Sequence, residues 1–384
     1  MPGYWKRSFS ISSRNSPRPA AYDLGEPIDE ELLPSDRLKY FHRTQPGQIL
    51  DGRFKTIAKL GFGSGSTVWL AENLAFKRWT KSSAPRYVSI KIPALDTNAT
   101  GEMRWTKLIA GANPSHEGFS RIRTPIDVFN LEGEDIKDDN IMVTIEDDSV
   151  LEDIVHYYKA NSQPRHTRSE DGRVTYLSHD EFGGLRGTTI LPRLTDFNLS
   201  FPGLPDNRGH ISPIQSHRYR APEVFLGLPW SYSADIWNLG LMMWNLLENI
   251  SLFNRPAGED GEYDAHVHLA HMISVLGDPP ETLIQRERMC RKAKLGRMII
   301  NQNGEKCETM NEFWGGPFFD EAGRTIRRDL VKERKQLSDA VTELAGQEKK
   351  QFLDFAGSML QWLPEKRKTA HELLQHPFLK DMNI

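Results

Sequence analysis

The chain has 384 residues, a formal net charge of −3, 38% hydrophobic and 26% charged side chains, which is the balance of a soluble globular protein with volume for one large or two ordinary domains. Two cysteines, Cys290 and Cys307, exclude a disulfide framework and imply a reducing compartment. The most apolar run, Ile236 to Leu247, is interrupted by Asn238, Gly240 and Asn245 and is too short and polar to cross a bilayer, so no membrane partner is expected. Basic stretches at 286–297 and 324–335 alternate with acids and apolar residues; they read as solvated helix faces, and no direct nucleic-acid partner is expected.

In chain order, residues 1–45 read as a disordered tail. The first 22 contain no acid and carry Lys6, Arg7, Arg14 and Arg18 among serines, which mimics a mitochondrial presequence, but Pro2, Pro17 and Pro19 favour a plain tail. From Gly47 to Leu131 the pattern is strand-like, with "RFKTIAKLGFGSGSTVWLAENL" alternating around a Gly/Ser turn and "RYVSIKI" as a second β-rich run. One short helix is expected near 100–110. Residues 144–190 are polar and acid-rich and read as an inserted spacer. Beyond Ser231 the pattern is mainly helical, and no repeat period is visible.

Four groups of residues carry chemistry. Gly61, Phe62, Gly63, Ser64, Gly65, Ser66, Thr67 and Val68 form a glycine-rich turn that could lie over a triphosphate with its N–H groups turned to the oxygens, or be an ordinary hairpin; no Gly-Lys-Ser/Thr ends it, so it is not a P-loop. Lys91, 23 residues past Val68 in "VSIK", could hold α/β-phosphates with Glu102 as its carboxylate partner, or be a snorkelling edge lysine. Asp135, Lys137 and Asn140 could supply the proton acceptor, the cation for the γ-phosphate and an amide oxygen that phosphoryl transfer uses, with Asp196 in "RLTDFNLS" as a second hard oxygen donor for Mg²⁺, or, taken as isolated Asp/Asn clusters, be ordinary turns. Asn198 stands where glycine is usual, a mild departure because Asn tolerates the left-handed region. Finally, Ala221-Pro222-Glu223 ends "SHRYRAPEV", Ser233 and Asp235 open an all-round apolar helix expected to be fully buried, and Arg367 is the expected structural partner of Glu223. A carboxylate at Asp235 is expected to tie down a nearby loop.

Taken in order, GFGSGSTV, VSIK, Glu102, DIKDDN, DFN, APE, DIW and the terminal arginine motif resemble the eukaryotic protein kinases over roughly residues 46–380. Finer features are similar to the serine/arginine-rich protein-specific kinases of fungal type, in the group that also holds cyclin-dependent and MAP kinases: Ser66 in "GSTVWLA", the long spacer after "DNIMV", "YRAPEV" with "WSYSADIWNLG", and "HLAHMISVLGDPP". The resemblance implies an α+β, bilobal fold with a small β-rich N-lobe (46–134) and a larger helical C-lobe (135–384, spacer at about 144–190). It implies ATP and Mg²⁺ as cofactors, Asp135 and Lys137 as catalytic residues, and Asn140 and Asp196 as metal ligands. It also implies a monomer that phosphorylates serines of Arg/Ser-rich proteins in mRNA processing, in cytoplasm and nucleus.

One departure stands out. Glu102 and Asp135 are 33 residues apart, where that fold needs the rest of one helix, two strands, a hinge and two helices, roughly 50–60 residues at typical element lengths. "EGE" at 132–134 therefore reads as a junction, by splicing, gene-model error or deletion, and a catalytically impaired binding protein is the competing reading.

Overall fold

The computed structural model describes residues 23–33, 37–63, 65–77, 85–95, 111, 115–116, 121–122, 141–143, 149–183, 192–194, 200–201, 204, 209–248, 250–253, 256–332 and 334–380. These divide into two compact units, those within 12–201 and those within 202–384.

The first unit is built on an antiparallel sheet of four strands in the order β1 (Ile49–Leu50), β2 (Phe54–Gly63), β3 (Ser66–Asn73), β4 (Tyr87–Pro93). Strand β3, "STVWLAEN", is nearly continuously buried. Such a strand needs cover on both faces, and the spacer provides it. On one face helix α1 (Ser149–Ala160) packs Val150, Ile154 and Val155 against Leu70. On the other, Tyr176 of the hairpin β6 (Arg165–Thr167) and β7 (Val174–Tyr176) meets Trp69 edge-on, with ring centroids 5.8 Å apart. Each fully buried aliphatic residue of α1 contributes about 1.5–3 kcal/mol. Where the β2–β3 register shifts, between Lys59 and Gly61, the amide of Gln163 donates to Lys59 O and accepts from Lys59 N, both at 2.9 Å.

Two expectations change here. The stretch 144–190, assigned from its polarity to the helical lobe as a spacer, has its described core folded onto the sheet; its acids sit on the exposed face of an amphipathic helix, and that masked the apolar stripe. The tail expected over 1–45 is ordered from Asp23 to Leu33 and from Arg37 onward, with 3-10 turns at Asp29–Leu32 and Arg37–Tyr40. Its anchor is charge. Lys59, fully buried on β2, donates to Asp29 Oδ2 at 2.8 Å, to Glu30 and to Tyr176 O at 3.0 Å. Asp29 also accepts from Ser178 N and Oγ at 2.8 and 2.6 Å, and holds φ +52°, a conformation Asp tolerates among non-glycine residues.

A small ribbon pairs β5 (Ile141–Val143) antiparallel with β8 (Pro192–Leu194), Ile141 opposite Leu194.

The second unit is mainly helical: α2 (Pro222–Phe225), α3 (Ser233–Glu248), α4 (Ala265–Leu276), α5 (Glu281–Cys290), α6 (Met310–Phe313), α7 (Gly346–Gly357), α8 (Ala370–Leu374) and α9 (Pro377–Lys380), with a hairpin of β9 (Lys294–Ile300) and β10 (Lys306–Thr309) that the helical pattern did not announce. Its core centres on Phe225, Trp237, Leu241, Trp244, Leu269, Phe318, Phe319 and Phe352. Helix α3 is not buried all round as expected. Its apolar residues are shared between that core and a smaller cluster with Phe355, Met359 and Leu373, and Leu246 remains exposed. Gly240 is required by this packing, since a Cβ there would lie 2.9 Å from Leu360. Among the described residues no helix is long and apolar enough to cross a membrane.

Candidate active site

The glycine-rich turn closes the β2–β3 hairpin, with Gly61 opposite Val68, Phe62 opposite Thr67 and Gly63 opposite Ser66. Gly65 O accepts from Ala94 N at 2.8 Å, which ties the turn to the end of β4. Strand β4 continues the register: Val68 is opposite Lys91, and Ser66 opposite Pro93. Gly61, Val68 and Lys91 thus form one cross-strand row, and directly opposed residues share a face. A Cβ on Gly61 would meet nothing within 4 Å, so the protein's own packing does not demand glycine there. The row therefore has open space at Gly61 and a half-buried lysine at its other end. The tip residue Phe62 is partly exposed, and Lys59 Nζ lies 5.3 Å from its ring centroid.

Ser64, Glu102, Asp135, Lys137, Asn140 and Asp196 lie outside the described residues. Their neighbours are informative. Asn140 immediately precedes Ile141 and Asp196 follows Leu194 by two residues, and the Ile141–Leu194 pairing puts both connections at the same end of one ribbon.

In the second unit Glu223 and Arg367 meet as a buried two-pronged pair, Nη1–Oε1 2.7 Å and Nη2–Oε2 2.6 Å. Arg367 also donates to Ser233 O and Gln361 O, and its guanidinium lies 5.0 Å from the Trp237 ring centre. Asp235 lies in the first turn of α3, and its carboxylate has no hydrogen-bond partner among the described residues.

Sequence reasoning missed two residues that brace the segment before α2. Gln215, at φ +68°, donates to Ala234 O and Asn238 Oδ1 and accepts from Ala221 N at 2.8 Å. Arg220 is buried between the rings of Trp314 and Tyr263, 4.1 and 4.5 Å from their centroids, and donates to Ile214 O and Gln215 O. Burial lowers the Arg220 pKa, and burial pushes the Tyr263 hydroxyl up to about 12. Tyr263 also bonds His268 at 3.0 Å, whose pKa burial and then Arg220 drive well below its usual value. The signal available was "QSHRYR", polar residues immediately before an apolar helix.

Residues 134–379 match the model of the protein kinase domain. The chain is 27% identical to a serine/threonine protein kinase of Aspergillus fumigatus, over 93% of this chain and 92% of that protein. It is 31% identical to the serine/threonine-protein kinase SKY1 of Saccharomyces cerevisiae, over 45% of this chain and 20% of that protein. To the dual specificity protein kinase CLK2 of Homo sapiens it is 30% identical, over 45% of this chain and 29% of that protein. The domain match begins at Glu134, at the "EGE" junction. The Aspergillus alignment runs over 400 positions and uses 93% of 384 residues, about 357, so about 43 positions hold residues of that relative which this chain lacks. The β-rich first unit, the helical second unit and the matched domain together place the chain in the protein kinase family, as a serine/threonine kinase that uses ATP and a divalent metal.

Proposed function

We propose that a version of this chain with a complete hinge is an ATP-dependent serine/threonine kinase of the SR-protein kinase type. It acts as a monomer in cytoplasm and nucleus on serines of Arg/Ser-rich proteins in mRNA processing. The observation that carries the nucleotide side is the row Gly61, Val68, Lys91, which sets a lysine beneath an open glycine turn. The turn's N–H groups cover the phosphates and Lys91 holds the α/β oxygens. Asp135 accepts the proton of the serine hydroxyl as that oxygen bonds to the γ-phosphorus and the β–γ bridge breaks, and Lys137 offsets the charge on the transferred group. Asn140 and Asp196 offer an amide oxygen and a carboxylate, a hard donor set that fits Mg²⁺, which when bound neutralises phosphate charge.

For the substrate, exposed acids at Glu152 and Asp153 on α1, and at Glu259, Asp260 and Glu262 before α4, provide a negative field that attracts arginine-flanked serines. In the hinge-restored version kcat/KM should be higher for an Arg-Ser repeat peptide than for an acid-flanked serine peptide. Equal values would remove the substrate assignment and leave the kinase intact.

A second reading applies to the 384-residue chain as it stands: it binds partners and transfers phosphate very poorly. It is favoured by the 33-residue spacing from Glu102 to Asp135 and by the domain match starting at Glu134. Phosphoryl transfer is mostly positioning, and a displacement of about 1 Å can cost roughly 100-fold in rate. Glu134 adds negative charge beside Asp135 where the γ-phosphate must approach. The chain and its Asp135→Ala variant should phosphorylate an Arg-Ser peptide at the same background rate. Inserting a relative's hinge-to-catalytic-loop segment between Glu132 and Asp135 should raise the rate by roughly 100-fold or more, and Asp135→Ala should abolish that gain. Robust activity of the unmodified chain that disappears with Asp135→Ala overturns this second reading.

A further inference from the structure

In the first unit, away from the glycine turn, a cavity of about 420 Å³ opens between the Arg37–Tyr40 turn and the β6–β7 hairpin. Its side chains are Leu38, Lys39, Phe41, Arg43, Arg168, Asp171 and Arg173: four cations and one carboxylate, from segments more than 120 residues apart. Arg173 is 4% exposed and forms the floor, with Nη1 and Nη2 donating to Leu38 O at 2.7 Å and Phe41 O at 2.9 Å. The guanidinium is therefore fixed by carbonyl dipoles, and its charge is not cancelled by a directly bonded acid. Asp171 is shared. It accepts from Arg43 at 3.0 Å, its other oxygen lies 3.4 Å from Arg168 Nε, and it also takes the N–H of Arg173 at 3.1 Å. The buried Nε of Arg168 makes no hydrogen bond, with Glu170 also 3.4 Å away and out of line.

We propose that this cavity binds a phosphoryl group, free or carried on a phosphoserine. A concave wall with three guanidiniums, met among the described residues by Asp171 and, at Arg168, by Glu170 3.4 Å away, keeps excess positive charge, and a dianion with three acceptor oxygens can take Arg43 and Arg168 together. The positive potential reaches the neighbouring His42, whose pKa is lowered by burial and then by Arg173. Glu30, bonded to Lys59, and Glu31, bonded to His166, also act on Arg173, and among the described residues the pocket itself is lined by no acid but Asp171. A bound phosphoryl group would cross-link the Arg37–Tyr40 turn to the hairpin.

The test uses the full chain in buffer free of phosphate and sulfate. Inorganic phosphate, a phosphoserine peptide and the same peptide unphosphorylated are titrated by calorimetry, with Tm recorded in parallel. Phosphate or the phosphopeptide should bind and raise Tm, and the unphosphorylated peptide should not. Saturation by the peptide alone identifies a carried phosphoryl group, and equal binding of both identifies the free ion. Arg43→Ala with Arg168→Ala should weaken binding about tenfold or more, as expected for loss of two charge-assisted contacts. Arg43 is largely solvent-facing and Arg168 half-buried, so the ligand-free Tm should fall little, and Arg43→Gln alone serves if it falls further. Because the glycine turn could also take phosphate, undiminished binding in the arginine variants overturns the proposal. So does absence of binding to the unmodified chain at millimolar phosphate.

Discussion

Replacing Lys59 by alanine is expected to destabilise the first unit by about 3–5 kcal/mol, the range for a buried charge cluster that loses one sign. Lys59 is fully buried, and its partners Asp29 and Glu30, adjacent on one segment, are 7% and 5% exposed. Without the ammonium two carboxylates face each other out of water. Native-state hydrogen exchange should show protection lost over 23–33 and 165–178 while the helical unit keeps its own. The effect has a pH signature. The Glu30 pKa is raised, first by burial and against the pull of Lys59. A raised carboxyl pKa means the folded state binds more protons, so that contribution is complete below the unfolded value and is lost as pH rises through the folded one. Lys59→Ala removes two of the three influences that lower it, and the window of loss extends upward. The deficit of the variant should thus be largest near neutral pH and shrink toward pH 5. A deficit independent of pH, or under about 0.5 kcal/mol as for ordinary surface changes, would mean the cluster does not anchor the segment.

Arg367→Ala should likewise cost about 3–5 kcal/mol in the second unit, because it strands Glu223 with its carboxylate fully buried. It also removes the donors to Ser233 O and Gln361 O, so α2, the start of α3 and the turn before α8 lose a common strut. Arg367→Lys keeps the charge but not the planar fork, and should recover only part of the loss. Urea unfolding followed by exchange in 222–248 and 361–374 checks this. Equal stability of Arg367→Lys and the parent would show that charge alone matters.

The gap at 132–134 bears on neither prediction. Both clusters are built from residues outside it, and each unit has a hydrophobic core among its described residues.

What the sequence by itself determined is local. A glycine-rich turn between two alternating runs is a hairpin because its residues are adjacent, and "VSIK" is a strand for the same reason; the row of Gly61, Val68 and Lys91 follows from their pairing. The apolar run of 233–248 likewise sufficed for the existence of α3, though not for how it is buried. Glu223 and Arg367 are 144 residues apart and were legible only through the resemblance, not through period or propensity. Tertiary structure decided the rest. Residues 23–33 are acidic and carry no amphipathic period, and they order because Lys59, about 30 positions later, needs counter-charges in a place without water and because Asp29 and Glu31 reach Ser178 and His166. The spacer folds because β3 has apolar side chains on both faces and must be covered twice. Pairings between distant buried charges are set by desolvation, which exists only once the chain has closed around them.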